Sequence, residues 1–159
     1  MLPEGFQLLT LEALARRQGT GLSGIDLLGC WQLQQVWAKG NSSASALSSA
    51  LLRSLGARLE LSTSDAPDQL SISNAINLGA LQLRFSGQAR LIGKRPLLQF
   101  SFNNLSLSIA GHCLLQRSLP SVPSSRLPFF ALICRDPTGW LAARGRGGGL
   151  ALWQLSTPP

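Results

Sequence analysis

From Leu59 to Ile109 the chain alternates apolar and polar residues with a period of two, the pattern of strands buried on one face only. Leu81, Leu83 and Phe85 share one side against Gln82, Arg84 and Ser86. Leu98, Phe100 and Phe102 repeat the pattern, as do Leu105, Leu107 and Ile109. The alternation predicts strands over 57–63, 70–78, 80–92, 97–103 and 105–115. Gly56, Asp65-Ala66-Pro67-Asp68, Gly79, Gly93-Lys94-Arg95-Pro96 and Asn103-Asn104 punctuate them as turns. An earlier strand is expected over Leu27–Trp37, where Trp31, Leu33 and Trp37 share parity, and three late ones over 129–134, 139–144 and 150–155. The connections are short, so neighbouring strands should pair antiparallel. Segment 119–128 carries three prolines and must be a loop. About eight to nine strands suffice for a closed barrel with room for one small ligand.

Helical patterns are confined to two places. Residues Pro3–Arg17 put Phe6, Leu9 and Leu14 near helical spacing, with Thr10 as a candidate cap and Gly19 and Gly21 as terminators. Residues 44–55, with Leu47, Leu51 and Leu55 four apart, suit a small helical insertion. The length of 159 residues fits one domain, with a helical segment at 1–21 and a barrel at 27–155.

Composition narrows the function. Hydrophobic residues make up 45% of the chain and charged residues only 13%, about half the usual ~25%, while the net charge is +7. Scattered arginines on a weakly charged surface suit anionic lipid headgroups, or nucleic acid, better than an acidic small substrate. Cys30, Cys113 and Cys134 form no Cys-x-x-Cys pair and leave an odd thiol, which argues against a disulfide or zinc framework and for a reducing compartment. No basic-then-apolar leader and no run of ~20 apolar residues is present, so neither an export signal nor a membrane span is expected.

Catalytic chemistry finds no foothold, and a non-enzymatic protein without metal or resident cofactor is expected. His112 is the only histidine, and most of the seven acids fall in the predicted helix, turns or loops. Asp65 and Asp68 bracket a proline turn, and His112-Cys113 has no companion ligands. The run Arg144-Gly145-Arg146-Gly147-Gly148-Gly149 leads into another strand rather than a helix, so it reads as a hairpin turn and not a phosphate loop. Strand parity places Trp31, Leu33, Leu83, Phe85, Phe100, Phe102, Leu107 and Trp153 on the barrel's inside as ligand-binding residues. Gly29 and Trp31 should close one end, with Arg144 from a late strand stacked over the indole.

Three short motifs resemble the plastid lipid-associated protein family, also called fibrillins or plastoglobulins, in its cyanobacterial form. They are Gly29-Cys30-Trp31-Gln32-Leu33, then Leu70-Ser71-Ile72-Ser73-Asn74-Ala75-Ile76, then Gly139 to Trp153 with Arg144-Gly145 at its centre. The family's Tyr-Leu-Asp element has no counterpart, since the chain contains no tyrosine. The resemblance implies a mostly β, lipocalin-like antiparallel barrel. It also implies a protein peripheral to thylakoid membranes or lipid globules, or else cytoplasmic. Its expected ligand is a hydrophobic molecule such as a carotenoid, tocopherol, quinone or fatty acid.

Three rivals remain open. A chromophore chaperone of the phycobiliprotein lyase type would need arginine and an acid inside the barrel to meet tetrapyrrole propionates and nitrogens. A nucleic-acid binder rests only on net charge and on the arginine-glycine turn at 144–149, because the phenylalanines share the apolar parity instead of facing outward. A structural coat with a packed, ligand-free interior would show the same strand parity.

Overall fold

The computed structural model describes residues 1–40 and 57–156. The expected helical insertion at 44–55 lies outside them. Helix α1 (Gly5–Gln18) and a short 3-10 turn (Gly24–Leu27) precede nine strands. These are β1 (Gly29–Trp37), β2 (Arg58–Thr63), β3 (Leu70–Leu78), β4 (Leu81–Ile92), β5 (Leu97–Ile109), β6 (His112–Ser118), β7 (Phe129–Arg135), β8 (Trp140–Gly145) and β9 (Leu150–Leu155). All pairings are antiparallel. The sheet runs β4-β3-β2-β1-β9-β8-β7-β5, and a β4–β5 pairing closes it into a ring. The mostly β, lipocalin-like barrel with a short N-terminal helix is thus the observed architecture. Among the described residues no helix is long and apolar enough to cross a membrane.

One predicted turn is not a turn. Asn103-Asn104 lies inside β5, which runs unbroken from Leu97 to Ile109. Phe102 pairs with Gly87 and Asn104 with Ser86, leaving Asn103 as an extra residue in a β-bulge. The bulge shifts the inward parity from Leu98, Phe100 and Phe102 to Leu105, Leu107 and Ile109, and that shift imitates a strand break in the sequence. The real hairpin is at Ala110-Gly111, where both residues have positive φ, +48° and +82°, as two-residue turns of this kind require. Gly87 at the bulge is obligatory for a different reason. A Cβ there would overlap the backbone carbonyl of Ser101 on β5.

Helix α1 also departs from expectation. Its first turn is closed by Gln7 Oε1 accepting from the Glu4 N–H at 2.9 Å, while Thr10 lies mid-helix and donates to the Phe6 carbonyl. Phe6, Leu9 and Leu14 point to solvent. The buried stripe is Leu8, Glu12 and Ala15, at the i, i+4, i+7 spacing of one helical face. It covers the outer surface of the sheet, where Leu8 packs with Trp37, Ile133, Trp140, Ala142, Leu150 and Leu152. Bulges between Leu33 and Gln35 in β1 and between Leu132 and Cys134 in β7 turn Trp37 and Cys134 outward beneath the helix. This half of the barrel is therefore apolar on both faces.

Candidate functional site

The barrel interior divides into a filled base and an open mouth. At the base Trp31 is wholly buried and its indole N–H donates to the Leu27 carbonyl at 2.8 Å, tying the 3-10 turn across the end of the ring. Gly29 has φ +134°, and a Cβ there would press on the Leu155 side chain at 2.6 Å. The guanidinium over the indole belongs to Arg135, 5.9 Å from the ring centroid, and not to Arg144. Strand parity explains the correction. Leu141 and Ala143 of β8 pair with Trp153 and Ala151 on the inside, which forces Arg144 to the outer face.

Around Trp31 pack Leu27, Leu59, Leu61, Ile72, Leu98, Leu132, Leu141 and Trp153. A hollow wide enough for water would leave accessible area on its walls, yet Trp31 and Leu98 have none, and Trp153 and Phe100 keep only 5% and 8%. Trp31, Phe100 and Trp153, expected to line a cavity, instead pack into this base. Leu33 and Phe102 flank it, partly buried.

Leu83, Phe85 and Leu107 lie elsewhere, on a flap that outgrows the ring. Beyond the bulge β4 and β5 continue past the barrel, joined by the end of β3 on one side and by β6 on the other. The pairings lay out three cross-strand rows on the inward face. The first is Leu78, Leu81, Ile109 and His112, the second is Ile76, Leu83, Leu107 and Leu115, and the third is Asn74, Phe85, Leu105 and Arg117. The opposite face carries Gln82, Arg84, Ser86, Asn104, Ser106 and Gln116. Leu78, Ile109, Leu114 and Leu115 remain 44–60% exposed. Clustered apolar side chains left in water mark a contact surface.

A file of aromatic rings joins flap to base. Phe85 and Phe102 have centroids 5.7 Å apart, Phe102 and Phe100 5.2 Å, Phe100 and Phe130 5.2 Å, and Phe130 and Trp153 5.3 Å. The apolar face of the flap is thus continuous with the barrel core.

Two clusters of charge lie on the outside. On the outer face of β2–β4, Glu60 accepts from Arg84 at 2.6 Å and Arg58 at 2.9 Å, with Ser73 at 3.1 Å. Burial raises the Glu60 pKa, but these hydrogen bonds and charges outweigh it and hold the carboxyl down to about 2. The cluster borders a polar outer cavity of about 560 Å³ lined by Cys30, Ser62, Ser71 and Ser86. Burial, with Glu60 nearby, pushes the Cys30 thiol up. Beneath α1, Glu12 meets Arg144, Arg95 and Arg16. Parity reasoning missed both clusters. The local signals available in the sequence were the i, i+4 pair Glu12 and Arg16 and the i, i+2 pair Arg58 and Glu60 on one strand face.

No family model matches the chain, and no curated protein or solved structure matches it.

Proposed function

We propose that this is a non-enzymatic lipid-associated protein, fibrillin-like, that seats apolar isoprenoid-type molecules on the inward face of its flap at the barrel mouth. The observation that supports this reading is the three-row apolar face of β3–β6, which stays partly open to solvent while running into the aromatic file of the core. With the base packed, a long hydrocarbon or polyene would lie along the flap and reach toward Phe102, instead of being swallowed whole. Burial of its surface supplies about 25 cal/mol per Å², before ordering costs are subtracted. Rows of leucine with few polar groups distinguish poorly between similar tails, so binding should be broad.

The polar face of the flap and the net charge of +7 suit a site beside anionic headgroups, at thylakoid membranes or lipid globules. A tetrapyrrole chaperone is less well served. The inward rows offer Arg117, Asn74 and His112 but no acid, while Glu60 and Glu12 are engaged by arginines on the outer surface.

Titration with a fluorescent polyene fatty acid tests the reading. The unmodified protein should bind it with enhanced emission, and Leu107→Lys, which places a charge in the middle row, should weaken binding at least tenfold with the far-ultraviolet circular dichroism unchanged. Equal affinity in both proteins would refute the flap as the site.

A further inference from the structure

Among the described residues β6 is the one strand left unpaired along the whole of one side. This strand pairs with β5 on one side and, among the described residues, with nothing on the other. All seven of its residues are exposed. The Leu119 N–H donates back to the Asn103 carbonyl, and Arg117 pairs with Leu105, so the backbone groups of the alternate residues Gln116 and Ser118 face away from β5. Such a row of donors and acceptors is a template for another extended strand, and neither a hydrocarbon tail nor a bilayer interior can satisfy it.

We infer that β6 is a self-association edge, on which a second copy of this chain pairs its own β6 antiparallel about a two-fold axis through Gln116. Three features point to a second copy. A chain with one free edge along a whole strand can close a two-fold pair and cannot extend into a fibre. Pairing centred on Gln116 sets Leu115 against the aliphatic stem of the other copy's Arg117 and Leu114 against Ser118. The two arginines are kept off the axis, and no like charges are opposed. A two-fold axis perpendicular to the sheet also keeps both inward faces on one side, so the row Ile76, Leu83, Leu107 and Leu115 continues into the other copy's row Arg117, Leu105, Phe85 and Asn74. Exposed Leu115 then lies in the middle of a doubled apolar sheet instead of at its rim.

The inference stands independently of ligand binding and is tested without ligand. Sedimentation velocity over a concentration series should show the 17.0 kDa chain passing to a species of twice that mass. Gln116→Pro, which removes an outward N–H from the edge strand, should hold the protein at the single-chain mass with its circular dichroism retained. Gln116→Cys in a Cys113→Ser background should give an oxidised dimer linked through the introduced thiols, because directly opposed residues of a hydrogen-bonded pair lie ~5.5 Å apart, within disulfide range. A single-chain mass at every concentration, or a dimer that survives Gln116→Pro and yields no such cross-link, would overturn the inference.

Discussion

Arg144 grips Glu12 with two parallel hydrogen bonds, Nε to Oε1 at 2.7 Å and Nη2 to Oε2 at 2.5 Å, and so bolts helix α1 to the outer wall of the barrel. The same guanidinium donates to the Gly148 carbonyl, binding the glycine-rich hairpin into the joint, and Arg95 adds a further bond to Oε1 at 2.9 Å. Glu12 is 3% exposed, so its charge is tolerable only because these partners surround it. The residue expected to lid the base thus fastens the helix.

Glu12→Gln should therefore destabilise the fold at neutral pH by about 2–3 kcal/mol, less than the ~3–5 kcal/mol of a fully buried pair broken on one side, because the arginines reach solvent and can rehydrate. The pH dependence follows from the lowered pKa. The hydrogen bond from Arg144 is the main cause, and it holds the Glu12 carboxyl at about 2 against an ordinary 4.5. A carboxylate lowered on folding contributes stability that is complete above its unfolded value and is lost as pH falls through the folded one. Urea unfolding between pH 5 and pH 2 should show a steeper loss in the unmodified protein than in Glu12→Gln. Parallel slopes would remove the clamp from the account.

Trp31→Phe should cost about 2–4 kcal/mol. The substitution leaves the Leu27 carbonyl without its indole donor, opens a void at a site with no accessible surface, and exchanges the indole beneath Arg135 for a smaller ring. Chemical denaturation checks the magnitude. A loss under 1 kcal/mol would mean that the 3-10 turn is held by other contacts.

Gly87→Ala isolates the junction of barrel and flap. The new methyl group would overlap the Ser101 carbonyl, and because the clash is with backbone no side-chain rotation relieves it. The strands must part opposite the Asn103 bulge, at about 2–3 kcal/mol, the upper part of the usual scale of overpacking. Hydrogen exchange should report faster exchange along β4 and β5 around this point than at β8 and β9. Uniform protection across the sheet would contradict the proposed junction.

Most strands could be read from the chain because each presents one apolar face, and Leu70–Leu78 and Leu150–Leu155 match expectation residue for residue. The first limit is that parity assumes an unbroken pleat. Bulges at Asn103, in β1 and in β7 each flip the inward side, so a continuous β5 reads as two strands and Trp37 reads as interior. Alternation also cannot separate a wall facing a hollow from a wall facing another wall. For that reason Trp153 and Leu107 looked equivalent in sequence, although one is packed and the other borders solvent. Glu12 was illegible for a further reason. Its partners Arg95 and Arg144 lie 83 and 132 residues away, and only the folded topology brings them together.

That difference between base and mouth yields a paired test. Phe85 and Trp153 stand at the two ends of one aromatic file, yet Phe85 is half-buried on the flap and Trp153 is 5% exposed in the core. Trp153→Ala should cost about 3–5 kcal/mol of folding stability, as expected for a large aromatic side chain removed from a packed interior. Phe85→Ala removes a ring with one open side and should cost about 1 kcal/mol of stability, while weakening a polyene probe about five- to tenfold through lost stacking and burial. Thermal melts and probe titrations on both variants separate the roles. If Trp153→Ala instead left stability intact and abolished probe binding, the base would be the ligand chamber and the flap only its rim.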